Sequence, residues 1–341
     1  MILTFILDVH STPKYTVGGL TDSTYEYFAK EYLLLNGADD RYKELHTNTI
    51  NAVNENLLFK PLVEGDPDIL MVGNKIQRTP GFFQEDNEMS HLSCFIGGMY
   101  ALGGKVFDRP EDVEAGAKLT DGCVWAYNVT RSGVMPENFH VRRCPEGDEK
   151  CHFDFETVDA EYKAREEVEL KKLAAKGVDT KLYNPSTYSV APNVEVVPDG
   201  RGGTRWPVNG YYDMPRSFLR MDAKYIMRPE ALESVFYLYR ITGEAAWQEK
   251  GWRMFESIIN LTAIPDPAGG EDAPPIGYSG VQDVSDDRGT KGNFRNEAES
   301  FWMAETLKYA YLLFSDPNVI ALDDWVLNTE AHPLKRTIEK Q

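Results

Sequence analysis

The sequence has little positive charge and no long apolar segment. Lysine and arginine together number 36 against 54 aspartates and glutamates, which gives a formal net charge of −18. A surface this acidic repels phosphate backbones and anionic lipid headgroups, so we expect no nucleic-acid partner. The apolar run over residues 1–7 lacks a basic flank and ends at Asp8, far short of the ~20 residues that a membrane span needs. We therefore expect this chain to encode neither a signal peptide nor a membrane anchor.

Three common catalytic signatures are also absent from the sequence. It has no glycine-rich phosphate loop, no His-Glu-x-x-His motif and no Gly-x-Ser-x-Gly nucleophile elbow. Nucleotide hydrolysis, zinc peptidase and serine hydrolase chemistry therefore lack their usual residues. Hydrophobic residues at 42% and charged residues at 26% are ordinary for a folded domain. The acidic excess leaves paired carboxylates, or a hard cation bound by oxygen atoms, as the chemistry that fits.

The four cysteines leave more than one arrangement open. Cys94 and Cys123 lie far apart in sequence, whereas Cys144 and Cys151 enclose a short Pro-Glu-Gly-Asp-Glu-Lys loop. We favour a Cys94–Cys123 disulfide and a second, local Cys144–Cys151 disulfide, which would place the protein in an oxidising compartment. The competing interpretation is a zinc site whose ligands are His140, Cys144, Cys151 and His152.

Two tripeptides match the acceptor pattern for N-glycosylation. They are Asn128-Val129-Thr130 and Asn260-Leu261-Thr262. Asn128 and Asn260 are therefore candidate glycosylation sites, although a triplet this short also occurs by chance.

Four segments share a polar start, a long aromatic-rich apolar pattern and a turn signal at the end: residues 22–36, 90–103, 229–243 and 299–316. Because each is apolar around most of its circumference, we predict four buried inner helices. The more amphipathic stretches 41–58 and 247–262 predict outer helices that cover them. Alternating inner and outer helices predict an all-α barrel or solenoid, with minor hairpins in β-prone pieces such as 194–197.

Residues 146–210 interrupt this helical pattern. They contain a charged helical stretch, 164–176, followed by proline, asparagine and glycine. We interpret them as a surface excursion within one domain that spans residues 1–341. Residues 265–296 are predicted to form a second long loop.

The most informative feature is the type of residue found at the starts of five segments, the four above and a fifth at Glu137. An acid or a histidine falls at or just before the first turn of each apparently buried helix: Asp22, His91, Glu137, Glu230 and Glu299. For any single acid, capping of a helix N-terminus is the simpler explanation. If the inner helices run parallel, however, their starts meet on one rim. Five such starts beside aromatic residues predict a concave acidic pocket, which suits sugar hydroxyls and the faces of sugar rings.

At these residues the sequence strongly resembles the class I α-1,2-mannosidases, glycoside hydrolase family 47. The matching motifs are GGLTDSTYEYFAKEYLLL from Gly18, HLSCFIGGMYALGG from His91, SGVMPE from Ser132, MRPEALESVFYLYRITG from Met227, ESFWMAETLKYAYLLFSD from Glu299 and LNTEAHPL ending at Leu334. The resemblance implies an (α/α)7 barrel with a calcium ion at its floor. It also implies hydrolysis of terminal α-1,2-linked mannose from high-mannose N-glycans, with inversion of configuration.

The resemblance implies a role for each matching residue. Asp22 corresponds to a catalytic carboxylate, Glu137 to an active-site acid and Glu230 to the general base. The residues expected to contact mannose are Arg228, Glu233, Phe301 and Glu305, with His91 and Glu299 in the same pocket. Thr329 corresponds to the single calcium-binding residue. The family's disulfide joins the cysteine of HLSCF to one 29 positions later, which matches Cys94 and Cys123.

The resemblance covers only part of the family pattern. Its Asp-Ser-Leu-Asp and Phe-Glu-Thr-x-Ile-Arg motifs have no counterpart here, and the second carries the glutamate usually assigned as the acid. We therefore expect an N-terminally truncated barrel with low activity on its own. The alternatives are a catalytically incompetent protein that binds high-mannose glycans, and a truncated inactive fragment. The family implies the secretory pathway, in the Golgi or endoplasmic reticulum lumen, or secretion, and no obligate protein partner is evident.

Overall fold

The computed structural model describes residues 4–5, 13–145, 147, 151–175, 183–184, 189–190, 197–198, 204–205, 214–269, 273–286 and 293–336. Its α-helices are α1 (Asp22–Leu34), α2 (Arg41–Asn56), α3 (Phe95–Val106), α4 (Pro110–Asn128), α5 (Phe155–Ala175), α6 (Glu230–Thr242), α7 (Ala245–Thr262) and α8 (Leu307–Phe314). A 3₁₀ turn, Leu92–Cys94, leads into α3, and a π-helical turn, Trp302–Thr306, leads into α8.

The strands are short and lie between the helices. In chain order they are β1 (Thr4–Phe5), β2 (Lys14–Tyr15), β3 (Leu58–Phe59), β4 (Pro61–Leu62), β5 (Met71–Val72), β6 (Asn74–Thr79), β7 (Phe82–Asp86), β8 (Glu88–Ser90), β9 (Asn138–Arg143), β10 (Tyr183–Asn184), β11 (Ser189–Val190), β12 (Val197–Pro198), β13 (Thr204–Arg205), β14 (Phe218–Asp222), β15 (Ala263–Ile264), β16 (Gly277–Tyr278), β17 (Trp325–Leu327) and β18 (Pro333–Lys335). Of the β-prone piece 194–197, residues 194–196 lie outside the described residues.

The helices form the two layers that the sequence predicts. Helices α1, α3, α6 and α8 form the inner layer, in which α3 contacts α1 and α6, and α6 contacts α8. Helices α2, α4 and α7 pack against α1, α3 and α6 as the outer layer. Helix α3 is buried along most of its length because only alanine, glycine and large apolar residues occupy it before its last turn. None of the helices among the described residues is apolar over enough of its length to cross a membrane.

Glycines let α3 approach its neighbours at backbone distance. A Cβ atom on Gly97 would lie 3.0 Å from the carbonyl oxygen of Gly116 on α4, and one on Gly98 would lie 3.2 Å from the Cα atom of Ser234 on α6. Because no side chain separates them, the hydroxyl of Ser234 accepts a hydrogen bond from the Gly98 amide at 2.8 Å. This contact fixes α6 against α3. It therefore sets how far the first turns of the two helices are offset along the helix axes.

A central sheet holds two site segments side by side. Strand β9 pairs with β8 on one side and β14 on the other, so that Asn138 lies opposite both Ser90 and Asp222. Beyond this register, the amide of His91 donates to the carbonyl oxygen of Glu137 at 2.8 Å. Strand β4 extends the same sheet, and β1, β2, β6 and β7 form a second four-stranded sheet. The β structure stays subordinate to the helices, but it is more than a set of isolated hairpins.

The interruption after residue 145 contains one described helix, α5, followed by short hairpins. This helix begins at Phe155 rather than at residue 164 as predicted. The carboxylate of Asp154 accepts hydrogen bonds from the amide of Glu156, at 3.0 Å, and from the hydroxyl of Thr157, at 2.6 Å, which stabilises the earlier start. The predicted loop 265–296 includes β16, and Val281 forms isolated bridges with Tyr225 and Phe294.

Candidate active site

The first turns of three inner helical segments meet at one place, as the sequence predicts. Asp22 is the first residue of α1, Glu230 is the first residue of α6, and His91 directly precedes the 3₁₀ turn before α3. The fully buried His91 ring contacts Glu230 Oε2 through Nδ1, at 3.1 Å, and the Tyr127 hydroxyl through Nε2, at 2.8 Å. This arrangement fixes one carboxylate oxygen of Glu230 while its side chain keeps 13% of its surface exposed.

Glu137 joins the same cluster from a different element than predicted. Its position in the sequence predicts a buried helix directly after it, but the structure places it directly before strand β9. The prediction is wrong because residues 138–143 alternate, with Phe139 and Val141 buried and polar residues between them, which is the pattern of a strand. The two Glu137 oxygens accept hydrogen bonds from the amide of Ile226, at 3.1 Å, and from Nε of Arg228, at 2.6 Å.

Arg228 connects the carboxylates. Its NH1 atom lies 3.4 Å from Glu230 Oε1, in addition to its contact with Glu137, and its guanidinium carbon lies 5.8 Å from the centroid of the Phe301 ring. The preceding residue, Met227, is buried and has φ of +72°, a left-handed conformation that costs a residue with a Cβ roughly 1–3 kcal/mol. Its carbonyl oxygen accepts a hydrogen bond from the Thr306 hydroxyl at 2.7 Å, which ties this strained turn to the π-helical turn.

A second group of charged side chains lies one helical turn deeper. Glu233 on α6 accepts a hydrogen bond from the Tyr309 hydroxyl at 2.9 Å, and Lys30 on α1 forms an ion pair with Glu26. The resemblance to family 47 implies a role for Glu233, whereas neither Glu26 nor Lys30 is predicted to belong to the site. The available signal is their spacing, because positions 22, 26 and 30 lie on one face of a helix.

The last group comes from the end of the described chain. Glu305 lies in the π-helical turn, and its buried carboxyl shares a hydrogen bond with Glu330, a residue that sequence analysis also misses. Thr329 lies in the turn between β17 and β18, where its Oγ1 is 3.2 Å from the Tyr27 hydroxyl on α1. Glu299 differs from the other predicted site residues, because it is exposed and, within the described residues, shares no hydrogen bond or ion pair with them.

The surroundings shift the pKa values of these carboxyls in different directions. Burial raises the pKa of Asp22, with a further contribution from the charge of Glu230. Burial also opposes ionisation of Glu230, but the hydrogen bond and charge of His91, together with Arg228, outweigh it and lower the pKa. Burial and the neighbouring Glu330 raise the pKa of Glu305 to about 8. Neighbouring carboxyls with opposite shifts can hold and accept a proton at the same pH, as acid–base catalysis requires.

The oxygen-rich turn at Thr329 fits a hard cation. Among the described residues no group of three or more His, Cys, Asp or Glu side chains is arranged to hold a metal ion. A calcium ion here would instead depend on Thr329, with the remaining positions filled by water and sugar hydroxyls. The Glu305 carboxyl beside this turn supports the fit, because burial and Glu330 raise its pKa to about 8 and a nearby cation would favour its ionised form.

Both expected disulfides are present in the structure. Cys94 is bonded to Cys123, which joins the 3₁₀ turn before α3 to helix α4, and Cys144 is bonded to Cys151. The zinc interpretation is therefore wrong, because two of its four ligands are not free thiolates. His140, a third proposed ligand, instead contacts Asp86 at 3.0 Å. His152 is exposed.

The asparagines of both glycosylation tripeptides are exposed, at the end of α4 and within α7. Their threonine hydroxyls donate to main-chain carbonyl oxygens, Thr130 to Tyr127 and Thr262 to Ile258. Glycosylation at Asn128 and Asn260 stays a prediction.

Comparison with known proteins agrees with this geometry. The model of glycosyl hydrolase family 47 matches residues 7–336. A mannosyl-oligosaccharide 1,2-alpha-mannosidase of Candida albicans is 28% identical over 336 residues, which cover 94% of this chain and 46% of that protein. The endoplasmic reticulum mannosyl-oligosaccharide 1,2-alpha-mannosidase of Homo sapiens is 28% identical over 321 residues, covering 94% of this chain and 34% of that protein. This chain thus spans less than half the length of these relatives.

A solved structure shares the fold. The alpha-1,2-mannosidase from Trichoderma reesei superposes with a TM-score of 0.65 at 24% identity, over 95% of this chain and 53% of that chain. This match confirms the barrel architecture of alternating inner and outer helices that the sequence predicts. Since the family model covers nearly the whole chain, the protein belongs to glycosyl hydrolase family 47.

Proposed function

We propose that this chain carries the active site of a glycosidase that removes terminal α-1,2-linked mannose from high-mannose N-glycans with inversion of configuration. The observation that carries the proposal is the convergence of Asp22, Glu137 and Glu230 around His91 and Arg228 in a family 47 chain. The names of its relatives supply the linkage and the sugar.

Glu230 is the proposed general base. His91 and Arg228 lower its pKa, so the carboxylate is ionised at neutral pH and can accept a proton from water. His91 holds Oε2 at 3.1 Å, which orients the carboxylate before the sugar binds. Partial exposure of the side chain leaves room for the attacking water.

Asp22 and Glu137 have different proposed roles. Burial raises the pKa of Asp22, so this carboxyl is better able to retain a proton for the leaving glycosidic oxygen. Both Glu137 oxygens already accept hydrogen bonds, one from the Ile226 amide and one from Arg228. Its contacts therefore support a role in holding Arg228 beside Glu230, rather than the role of proton donor.

The remaining residues would bind the sugar. The carboxyl groups of Glu233 and Glu305 can form hydrogen bonds with mannose hydroxyls, and Phe301 offers a ring face beside Arg228. Thr329 would hold the calcium ion, which when bound supplies a fixed positive charge that attracts sugar hydroxyl oxygens. Because Glu299 is exposed, its proposed position is the outer edge of the sugar site.

The cellular setting follows from the disulfides and the relatives. Two disulfides are typical of an oxidising compartment, and one relative is named for the endoplasmic reticulum. We place the protein in the secretory pathway or outside the cell, with the high-mannose glycan as its partner. We treat residues 146–210 as part of the same catalytic domain.

Hydrolysis of an α-1,2-linked mannobiose, followed by proton NMR in the presence of calcium, tests the proposal. Inversion predicts β-mannose as the first anomer released, with α-mannose appearing only through mutarotation. Release of α-mannose first would contradict the inverting mechanism. Tight binding of the disaccharide without hydrolysis would favour a glycan-binding protein instead.

A further inference from the structure

The ammonium group of Lys30 is buried among oxygen atoms from three separate elements. Its side chain is 1% exposed, and its Nζ atom forms an ion pair with Glu26 on the same helix, α1. Nζ also lies 3.7 Å from Glu233 Oε1 on α6. It donates a hydrogen bond of 3.3 Å to the carbonyl oxygen of Asn328, the residue before Thr329. A single charge therefore contacts α1, α6 and the β17–β18 turn.

The two carboxylates that share Lys30 would repel each other without it. Glu26 is 7% exposed and Glu233 is 4% exposed, so water screens their charges poorly. Burial and the charge of Glu26 both raise the pKa of Glu233, whereas Lys30 opposes this effect. The Lys30 Nζ atom also lies over the Tyr237 ring, 5.5 Å from its centroid. The positive charge of Lys30 therefore opposes the effects of burial and of Glu26 on the Glu233 carboxyl.

Stability alone is a weak explanation for such a cluster. Replacing buried ion pairs by apolar residues of similar volume is often neutral or stabilising, because removing charges from water costs as much as their attraction returns. The position of this cluster offers a better explanation. Glu26 follows Asp22 by one helical turn, Glu233 follows Glu230 by one turn, and Asn328 adjoins Thr329. Each partner of Lys30 is thus adjacent to a residue of the proposed site.

We propose that Lys30 is a positioning residue that fixes the Glu26 and Glu233 carboxylates and the Thr329 turn in the arrangement that binds mannose and calcium. This inference rests on the proposed function. It assigns Lys30 no contact with the sugar. Its effect is expected in the affinities for sugar and calcium, and in KM more than in kcat.

Lys30→Met tests the inference, because it keeps the length of the side chain and removes its charge. We expect the affinity for α-1,2-linked mannobiose, measured by calorimetry with calcium present, to fall at least 10-fold. We also expect the calcium-dependent rise in melting temperature to disappear. Lys308→Met is the matched control, since Lys308 donates to the Ala331 carbonyl oxygen of the same turn at 2.8 Å. The control should keep both properties within twofold.

A folded Lys30→Met protein that binds mannobiose and calcium within twofold of the parent would overturn the inference. If Lys30→Met does not unfold cooperatively, Lys30→Gln replaces it, because glutamine keeps an N–H donor for the Asn328 carbonyl oxygen. The same loss of affinity is expected for it. Restoration of both affinities in Lys30→Arg, which retains the positive charge, would further support a positioning role.

A second measurement is independent of the enzyme's function. Glu26→Gln should lower the urea midpoint of the parent, because it removes a partner of Lys30, but raise that of Lys30→Met, because it removes an uncompensated buried charge. An effect of equal sign and size in both backgrounds would refute the pairing. A parent chain that binds neither mannobiose nor calcium would contradict the proposed function, while this comparison would still decide whether Lys30 compensates the carboxylates.

Discussion

Acid should destabilise the protein through His46 in helix α2. This side chain is fully buried, and within the described part of the chain both of its ring nitrogens lack a hydrogen-bond partner. It packs against the Phe107 ring, with centroids 5.2 Å apart, and a Cβ atom on Gly103 would lie 1.9 Å from its Nε2. Burial, and to a smaller extent Arg109, lower the pKa of His46 to about 4 from an ordinary value of 6.5.

The direction and the size of the effect follow from linkage. As the pH falls below about 6.5, the unfolded chain binds a proton at His46 that the folded chain does not bind until about pH 4, so the free energy of unfolding decreases over this interval. At about 1.4 kcal/mol per pH unit, the loss from His46 is about 2 kcal/mol at pH 5 and about 3 kcal/mol at pH 4. Full burial of the ring means that solvent screening reduces these values little.

Urea unfolding of the parent and of His46→Leu at pH 7.5 and pH 5.0 measures this contribution. The substitution removes the titrating group from an apolar site, so the loss of stability between the two pH values should be smaller by about 2 kcal/mol in the variant. Replacing the exposed His152 by leucine serves as the control for removing a histidine outside the core. Equal losses in the parent and in His46→Leu would refute the reasoning.

Two further predictions concern the disulfides and the metal. Removing the Cys94–Cys123 bond should destabilise the protein more than removing the Cys144–Cys151 bond. From loop lengths of 29 and 7 residues, the expected losses in the free energy of unfolding are about 3.6 and about 2.4 kcal/mol. Urea unfolding of the two double-alanine variants measures both losses, and a larger loss for the short loop would contradict the entropic argument. Calcium should raise the melting temperature of the parent but not of Thr329→Val, because an ion that binds only the native state stabilises it. Equal responses of the two proteins to calcium and to chelator would exclude the Thr329 hydroxyl as a ligand.

The inner helices could be predicted from the sequence because their composition leaves no alternative. Residues 229–243 and 90–103 are apolar on nearly every face, and a helix of that kind is stable only inside a helical layer. The proximity of Asp22, His91 and Glu230 could also be predicted from the sequence, because the first turns of parallel inner helices lie on one rim. Their roles came from the resemblance to family 47, because pattern alone does not distinguish a catalytic carboxylate from a helix cap.

The parts that sequence could not supply depend on tertiary contacts. The sequence does not predict the strand after Glu137, because the alternating pattern of residues 138–143 is short. That pattern forms a strand only through pairing with β8 and β14. Lys30 resembles an ordinary surface lysine until Glu233 and Asn328, distant in sequence, are placed beside it. The π-helical turn at Trp302–Thr306 is equally a product of packing, and it determines where Glu305 lies.

The rate of mannobiose hydrolysis by Glu230→Gln relative to the parent, with calcium present, tests the central claim most directly. Glutamine preserves the shape of the side chain and its contact with His91 but cannot accept a proton from water, so the rate should fall about 10²–10⁴-fold while the affinity for mannobiose is retained. Glu244→Gln, at an exposed acid in the N-cap position of the outer helix α7, is the control and should retain the parental rate. A Glu230→Gln protein that hydrolyses mannobiose within twofold of the parental rate would contradict the assignment of Glu230 as the base.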